Sequence, residues 1–274
     1  MSKQILVLIG SGGIGVAIAR RLGTGKTILL ADISQKSLDD ALAAVQAAGH
    51  DAVTHRVDVT SRESVQVLAD AAGGMGDVMQ VIHTAGLSPV QASPAKILQV
   101  DLLGTALVIE AFGKIIASGG SGLVISSMAG HMHNILPPLP LEQEQALGRT
   151  PTDELLRLPF LSAEAIPNSG VAYAMSKRAN CLRVQYASVE WGDRGARLNS
   201  MSPGIILTPL AKEEMEGPGR ERYQETIRTS AAGRVGTTDE IASAAAYLAE
   251  ANFITGTDLL IDGGVIAAMR SGRL

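Results

Sequence analysis

A chain of 274 residues, 46% hydrophobic but only 3% aromatic, can bury a large interior built from Ala, Val, Ile and Leu. A net charge of −4 without a basic run argues against nucleic acid as a partner, and apolar runs as short as Ile5 to Ile9 cannot span a bilayer. Cys181 is the only cysteine, which excludes an intrachain disulfide; with no charged-then-apolar leader ahead of the first apolar run, a reducing, cytoplasmic setting is expected.

In chain order, short apolar runs predict seven strands, over residues 4–9, 27–31, 52–57, 78–83, 122–126, 197–201 and 258–261. Helical periodicity fills 14–22, 36–48, 61–72, 95–117 and 173–190 between the first six, and 238–249 before the last. Strand and helix in strict alternation predict an α/β fold, a doubly wound seven-stranded parallel sheet, in a single domain over 1–274. Two segments break the rhythm. Residues 131–170 hold six of the eleven prolines, with room for short helices at 141–147 and 152–158. Residues 209–229, within a loop region 205–230, are rich in charge and glycine. Such excursions are either lids over a site or surface insertions.

The first strand runs into Gly10-Ser11-Gly12-Gly13-Ile14-Gly15, which opens a helix. Glycines let the backbone turn sharply and approach a pyrophosphate, and the helix N-terminus offers free N–H groups: the dinucleotide-binding fingerprint of a Rossmann fold. Asp32 closes the second strand. Its carboxylate can accept from both adenosine ribose hydroxyls and would repel a 2′-phosphate, so the cofactor predicted is NAD; the alternative is a capping or loop acid. Asp58, followed by Val59, ends the third strand and is placed at the adenine, with the same capping alternative.

Tyr173-Ala174-Met175-Ser176-Lys177 puts a phenol and an ammonium on one helix face. A nearby ammonium favours a phenolate and makes tyrosine a workable acid or base near neutral pH. Ser127 follows the fifth strand, at the carboxyl edge where ligands of parallel sheets sit, and can donate to a substrate carbonyl.

These pieces, with Thr84-Ala85-Gly86, Asn199, Pro203-Gly204, Thr208 and Asp262-Gly263-Gly264, make the chain resemble the short-chain dehydrogenase/reductase family over nearly its whole length. The resemblance implies that Ser127 polarises the carbonyl, Tyr173 transfers the proton and Lys177 binds the nicotinamide ribose. It adds Ala85, Gly86 and the segment from Pro203 and Gly204 through Ile206 to Thr208 to the cofactor contacts. It also implies a homodimer or homotetramer, because helices bearing Asp101 and Tyr173 commonly pack between subunits of the family. The chain departs from the family in three ways. Gly10 and Gly13 enclose two residues where the family has three, and the family's Asn-Asn-Ala-Gly reads His83-Thr84-Ala85-Gly86. The asparagine of the family's proton relay is Asp101, which either pairs with Lys177 or weakens the relay. The long Ser127-to-Tyr173 interval and the tail after Asp262 are similar to the bacterial 3α-hydroxysteroid dehydrogenase/carbonyl reductase branch, which implies a bulky apolar ketone or alcohol.

His131 and His133 lack a third ligand at metal spacing, so no metal is expected, and Cys181 reads as packing. The apolar residues Ile135, Leu136, Leu139, Leu155, Leu158, Phe160 and Leu161 either line a site for an apolar ligand or pin the insertion to the sheet. Two functions follow: an oxidoreductase working on a small-molecule carbonyl or alcohol, and an NAD-binding regulatory protein without turnover.

Overall fold

In the computed structural model, which describes residues 2–208, 211, 215, 217 and 220–274, seven parallel strands form one sheet in the order β3-β2-β1-β4-β5-β6-β7. The strands are β1 (Gln4–Ile9), β2 (Thr27–Asp32), β3 (Asp51–Arg56), β4 (Asp77–His83), β5 (Ile116–Ile125), β6 (Arg197–Pro203) and β7 (Asp258–Ile261). Residues 5–9 of β1 are wholly buried because helices cover both faces of the sheet, and so the strand reads as an unbroken apolar run. Ile5, Val7 and Ile9 face a core with Val81, Val124, Phe112 and Trp191; Leu6 and Leu8 face the opposite one with Ile82, Leu123 and Met201.

The helices are α1 (Gly13–Leu22), α2 (Gln35–Ala47), α3 (Arg62–Met75), α4 (Pro94–Ile97), α5 (Thr105–Gly113), α6 (Leu141–Arg149), α7 (Ser169–Asp193), α8 (Arg220–Thr229), α9 (Thr238–Glu250) and α10 (Val265–Arg270). Of the loop region 205–230, residues 209, 210, 212–214, 216, 218 and 219 lie outside the described residues. Among the described residues, no helix is long and apolar enough to cross a membrane.

Three of the boundary differences have an identifiable local cause. The helix expected over 95–117 is α4 and α5 joined by a π-helical segment, Leu98–Gly104, and it stops at Gly113. β5 begins at Ile116, six residues before the predicted start, because Ile116 pairs with Val78 ahead of a register shift that realigns Ser121 with Gln80. Its first residues lack strand alternation, and tertiary pairing overrides their local preference. α7 starts four residues before Tyr173 because the Asn168 side chain caps it, accepting the Val171 N–H (3.0 Å).

The insertion carries α6, where a helix was expected, and a 3₁₀ turn at Thr152–Arg157 in place of the second helix. It lies on α7. Leu136, Leu147, Leu155, Leu161 and Ile166 are buried in a third core with Ile97, Leu102, Ala172 and Met175. A Cβ at Gly148 would run into the Tyr186 ring, and Arg149 stacks on the same ring at 4.8 Å. Arg178 pairs with Glu144. Arg183 donates to the Leu147 and Thr150 carbonyls (both 3.1 Å) and to Thr152 Oγ1 (3.4 Å). Leu136, Leu155 and Leu161 thus hold the insertion to the body.

Replacing Arg183 with Met removes three hydrogen bonds and leaves two carbonyls beside an apolar chain, a loss of about 1–3 kcal/mol. Limited proteolysis of Arg183→Met should give cleavage within residues 131–170 well before the sheet unfolds.

Candidate active site

The strand order reverses between β1 and β4, so their carboxyl ends diverge into a crevice, the usual ligand position of such sheets. The Ile9 carbonyl accepts the N–H groups of Thr84 (2.7 Å) and Ala85 (3.0 Å), drawing the segment after β4 against the glycine loop. Gly10 has a φ of +95°, and a Cβ there would collide with the Ala85 backbone. A Cβ on Gly15 would lie 2.5 Å from the Gly10 carbonyl and 2.8 Å from Thr84 Oγ1. Gly12 and Gly13 are exposed instead: nothing lies within 4 Å of a Cβ on Gly12, and only methyls of Thr208 and Thr238, at 3.8 and 3.9 Å, approach one on Gly13. Helix α1 has no side-chain cap at Gly12, and Ile14 packs on the second core. Open space before uncapped helix amides fits a dinucleotide pyrophosphate.

Asp32 faces this loop. Its Oδ2 accepts from Ser11 N (2.8 Å) and Ser11 Oγ (2.9 Å), and its Oδ1 from Ser34 N (2.9 Å). Asp32 thus braces the glycine loop, as the capping alternative expected. Asp58 accepts from Thr60 N (2.9 Å) and Thr60 Oγ1 (2.7 Å) through one oxygen. Burial opposes its charge, but the Thr60 bonds and the Lys96 charge hold the carboxyl below its ordinary range. Val59 is buried against Gly104, and Gly86 is exposed in the crevice. Across it, Gly204 N–H donates to Ile261 (2.9 Å), Ile206 bridges to Gly236, and Thr208 Oγ1 accepts Ala211 N–H (3.1 Å). Pro203, the last residue of β6, is buried.

Tyr173 and Lys177 share a face of α7, with the Lys177 ammonium 5.2 Å from the Tyr173 ring centre. Ser127 Oγ accepts Ala129 N–H (3.2 Å), which leaves its hydroxyl hydrogen available. The turn after Ser127 (Met128–His131) is pressed onto α7: a Cβ on Gly130 would lie 2.8 Å from the Arg178 amide, and Ser126 Oγ donates to the Lys177 carbonyl (2.7 Å). The serine turn and the helix carrying the phenol are thereby stitched together.

Asp101 resolves its two alternatives in favour of pairing. Its fully buried carboxylate lies 3.0 Å from Lys177 Nζ. Burial alone would lower the lysine pKa; the Asp101 charge and hydrogen bond, together with the Tyr173 and Cys181 side chains, outweigh it and hold the ammonium above its ordinary range. Sequence reasoning grouped Asp101 with the catalytic residues; in the structure its carboxylate contacts Lys177. The neighbouring His83 is pushed down to about 3 by burial and then by Lys177, so it is neutral.

Some partners had no sequence signal. Asn180, one turn beyond Ser176, donates to the Asp101 carbonyl (2.9 Å). Asp258, 127 residues from His131, takes its Nε2 at 2.8 Å together with the hydroxyls of Ser200 and Ser202. His131, Cys181 and Asp258 bring possible ligand atoms within 4.8 Å of one another, but the His131–Asp258 bond already engages two of them, and burial pushes the Cys181 thiol up to about 11. Cys181 and Trp191 are packing residues, the latter donating to the Ile109 carbonyl (3.3 Å) at the end of α7.

The sequence profile described as short chain dehydrogenase matches residues 3–138, and that described as enoyl-(acyl carrier protein) reductase matches residues 152–266. The chain is 42% identical over 269 residues to the short-chain dehydrogenase/reductase bsc3 of Alternaria brassicicola, covering 97% of each. It is 32% identical to the D-threitol dehydrogenase of Mycolicibacterium smegmatis, over 96% of this chain and 92% of the relative. To the 3-alpha-hydroxysteroid dehydrogenase/carbonyl reductase of Comamonas testosteroni it is 29% identical, over 82% and 91%. Its fold matches a short-chain dehydrogenase/reductase from Serratia marcescens with a TM-score of 0.73 at 24% identity, covering 96% and 98% of the two chains. The chain belongs to the short-chain dehydrogenase/reductase family, oxidoreductases that act on alcohols and carbonyls with a nicotinamide cofactor.

Proposed function

We propose that the protein transfers a hydride between NAD(H) and an apolar ketone or secondary alcohol, with Tyr173 moving the proton. The observation that carries the reading is the set formed by Tyr173 and Lys177 on one face of α7, with the Ser127 turn packed on that helix. Bound NADH supplies the hydride to the carbonyl carbon. Ser127 donates its free hydroxyl hydrogen to the carbonyl oxygen, polarising the bond and fixing its direction. Tyr173 gives its phenolic proton to that oxygen as the alcohol forms, and takes it back in oxidation. The Lys177 ammonium stabilises the phenolate left behind and can hold the nicotinamide ribose.

The preference for NAD over NADP is supported by Asp32, whose carboxylate at the end of β2 would repel a 2′-phosphate. An apolar substrate is supported by Ile135, Leu139, Leu158 and Phe160, partly buried in the same cluster as Tyr173. Relatives named for hydroxysteroids agree with it, although others are named for polyols. A homodimer or homotetramer is supported by the family's habit of packing the helices that bear Asp101 and Tyr173 between subunits; the insertion occupies part of the outward face of α7 around Arg183 and Tyr186 and obstructs that part.

Purified protein given NAD and a panel of secondary alcohols that includes hydroxysteroids should form NADH, and Tyr173→Phe should lower kcat by about a thousandfold or more while still binding NAD. NAD binding with no turnover on any alcohol would favour the regulatory reading. Wild type should prefer NAD to NADP, and Asp32→Ala should shift the kcat/KM ratio toward NADP by at least about tenfold, or ~1.4 kcal/mol; equal use of both by the wild type would overturn the NAD assignment. Light scattering on the eluting protein should give the mass of a dimer or a tetramer, and a monomer would contradict the homo-oligomer.

A further inference from the structure

Asp101 meets the site in an unusual way. One carboxylate oxygen accepts the Leu87 N–H (2.8 Å), which fixes the side chain; the other, Oδ2, faces the Lys177 ammonium at 3.0 Å, and both residues are buried. Gly86 closes the pair from the crevice side: a Cβ there would lie 3.0 Å from Asp101 Oδ2 and 3.2 Å from Lys177 Nζ, so only glycine leaves the ion pair undisturbed. The main-chain oxygen of Asp101 is already taken by Thr105 Oγ1 (2.7 Å) and Asn180 Nδ2 (2.9 Å), which fill its two lone pairs. The π-helical segment therefore presents a carboxylate, and not a free carbonyl, to the lysine.

We propose that Asp101 is a positioning residue that sets the proton affinity of the Tyr173–Lys177 pair, biasing the site toward proton donation and hence toward carbonyl reduction near neutral pH. The inference rests on the reaction proposed above. Whichever of the two groups loses a proton, the pair becomes more negative beside a buried carboxylate, and that is disfavoured. Reduction needs the proton present and oxidation needs it gone. The other titratable groups facing the pair do not compete near neutral pH. His83, from β4, is neutral, since burial holds its pKa at about 3, and Cys181, from α7, remains a thiol, since burial raises it to about 11.

Asp101→Asn keeps the shape and the acceptor for Leu87 N–H but removes the charge. Profiles of kcat/KM against pH should show the alkaline limb of reduction and the rising limb of oxidation both displaced to lower pH, by about one unit. A purely structural role would lower rate or melting temperature at all pH values and leave both limbs in place, and that result would overturn the proposal. Asp101→Ser removes the same charge and serves if the asparagine variant fails to fold. Independently of turnover, the ultraviolet phenolate signal of Tyr173, taken as wild type minus Tyr173→Phe, should appear at lower pH once the carboxylate is gone. If neither variant folds, phenolate already present in the wild type at neutral pH refutes the bias. Absence of turnover in the wild type would defeat the reaction, whereas the phenolate titration would still decide the role of Asp101.

Discussion

The close approach of β1 to the segment after β4 governs what this sheet can do. Two N–H groups, from Thr84 and Ala85, converge on the single carbonyl of Ile9, and Thr84 Oγ1 donates to the Gly10 carbonyl (2.6 Å). These bonds require a residue without a side chain at Gly10, in a conformation few others adopt. They hold the crevice open at the point where the strand order reverses, so that the glycine loop, Asp32 and Asp58 lie to one side and Ser127 and α7 to the other.

The second constraint is electrostatic. Lys177 carries its charge into the interior, at a desolvation cost that several neighbours share in offsetting. Asp101 offsets part of that cost from the middle of the π-helical segment, where Thr105 Oγ1 and Asn180 Nδ2 hold its carbonyl. Stability and chemistry here rest on the same atoms.

Much of the architecture was legible because parallel strands buried on both faces leave apolar runs such as Ile5 to Ile9, and because glycine spacing reports backbone geometry directly. The catalytic spacing was legible too, since positions four apart share a helix face. The π-helical segment was not, because the apolar pattern of residues 98–104 does not separate one helical period from a slightly wider one. The early start of β5 depends on pairing with Val78, and the His131–Asp258 contact spans most of the fold; neither leaves a local trace. For the insertion, composition left two alternatives for its apolar residues, and the packing grades them by depth within one core: Leu136, Leu155 and Leu161 are buried, while Ile135, Leu139, Leu158 and Phe160, like Tyr173, are partly buried against it.

The place of the insertion in the chain bears on how the site is assembled. Ser127 and Tyr173 stand 46 positions apart (173 − 127), so bringing them together closes a loop about two doublings longer than a dozen-residue connection, at an extra entropic cost of about 1 kcal/mol. Residues of that loop reach past it onto α7, with Gly148 against Tyr186, Glu144 on Arg178 and two carbonyls on Arg183, and these contacts offset the cost. The insertion thereby acts as a clasp: the chain between Ser127 and Tyr173 is fastened to the same helix that carries the phenol.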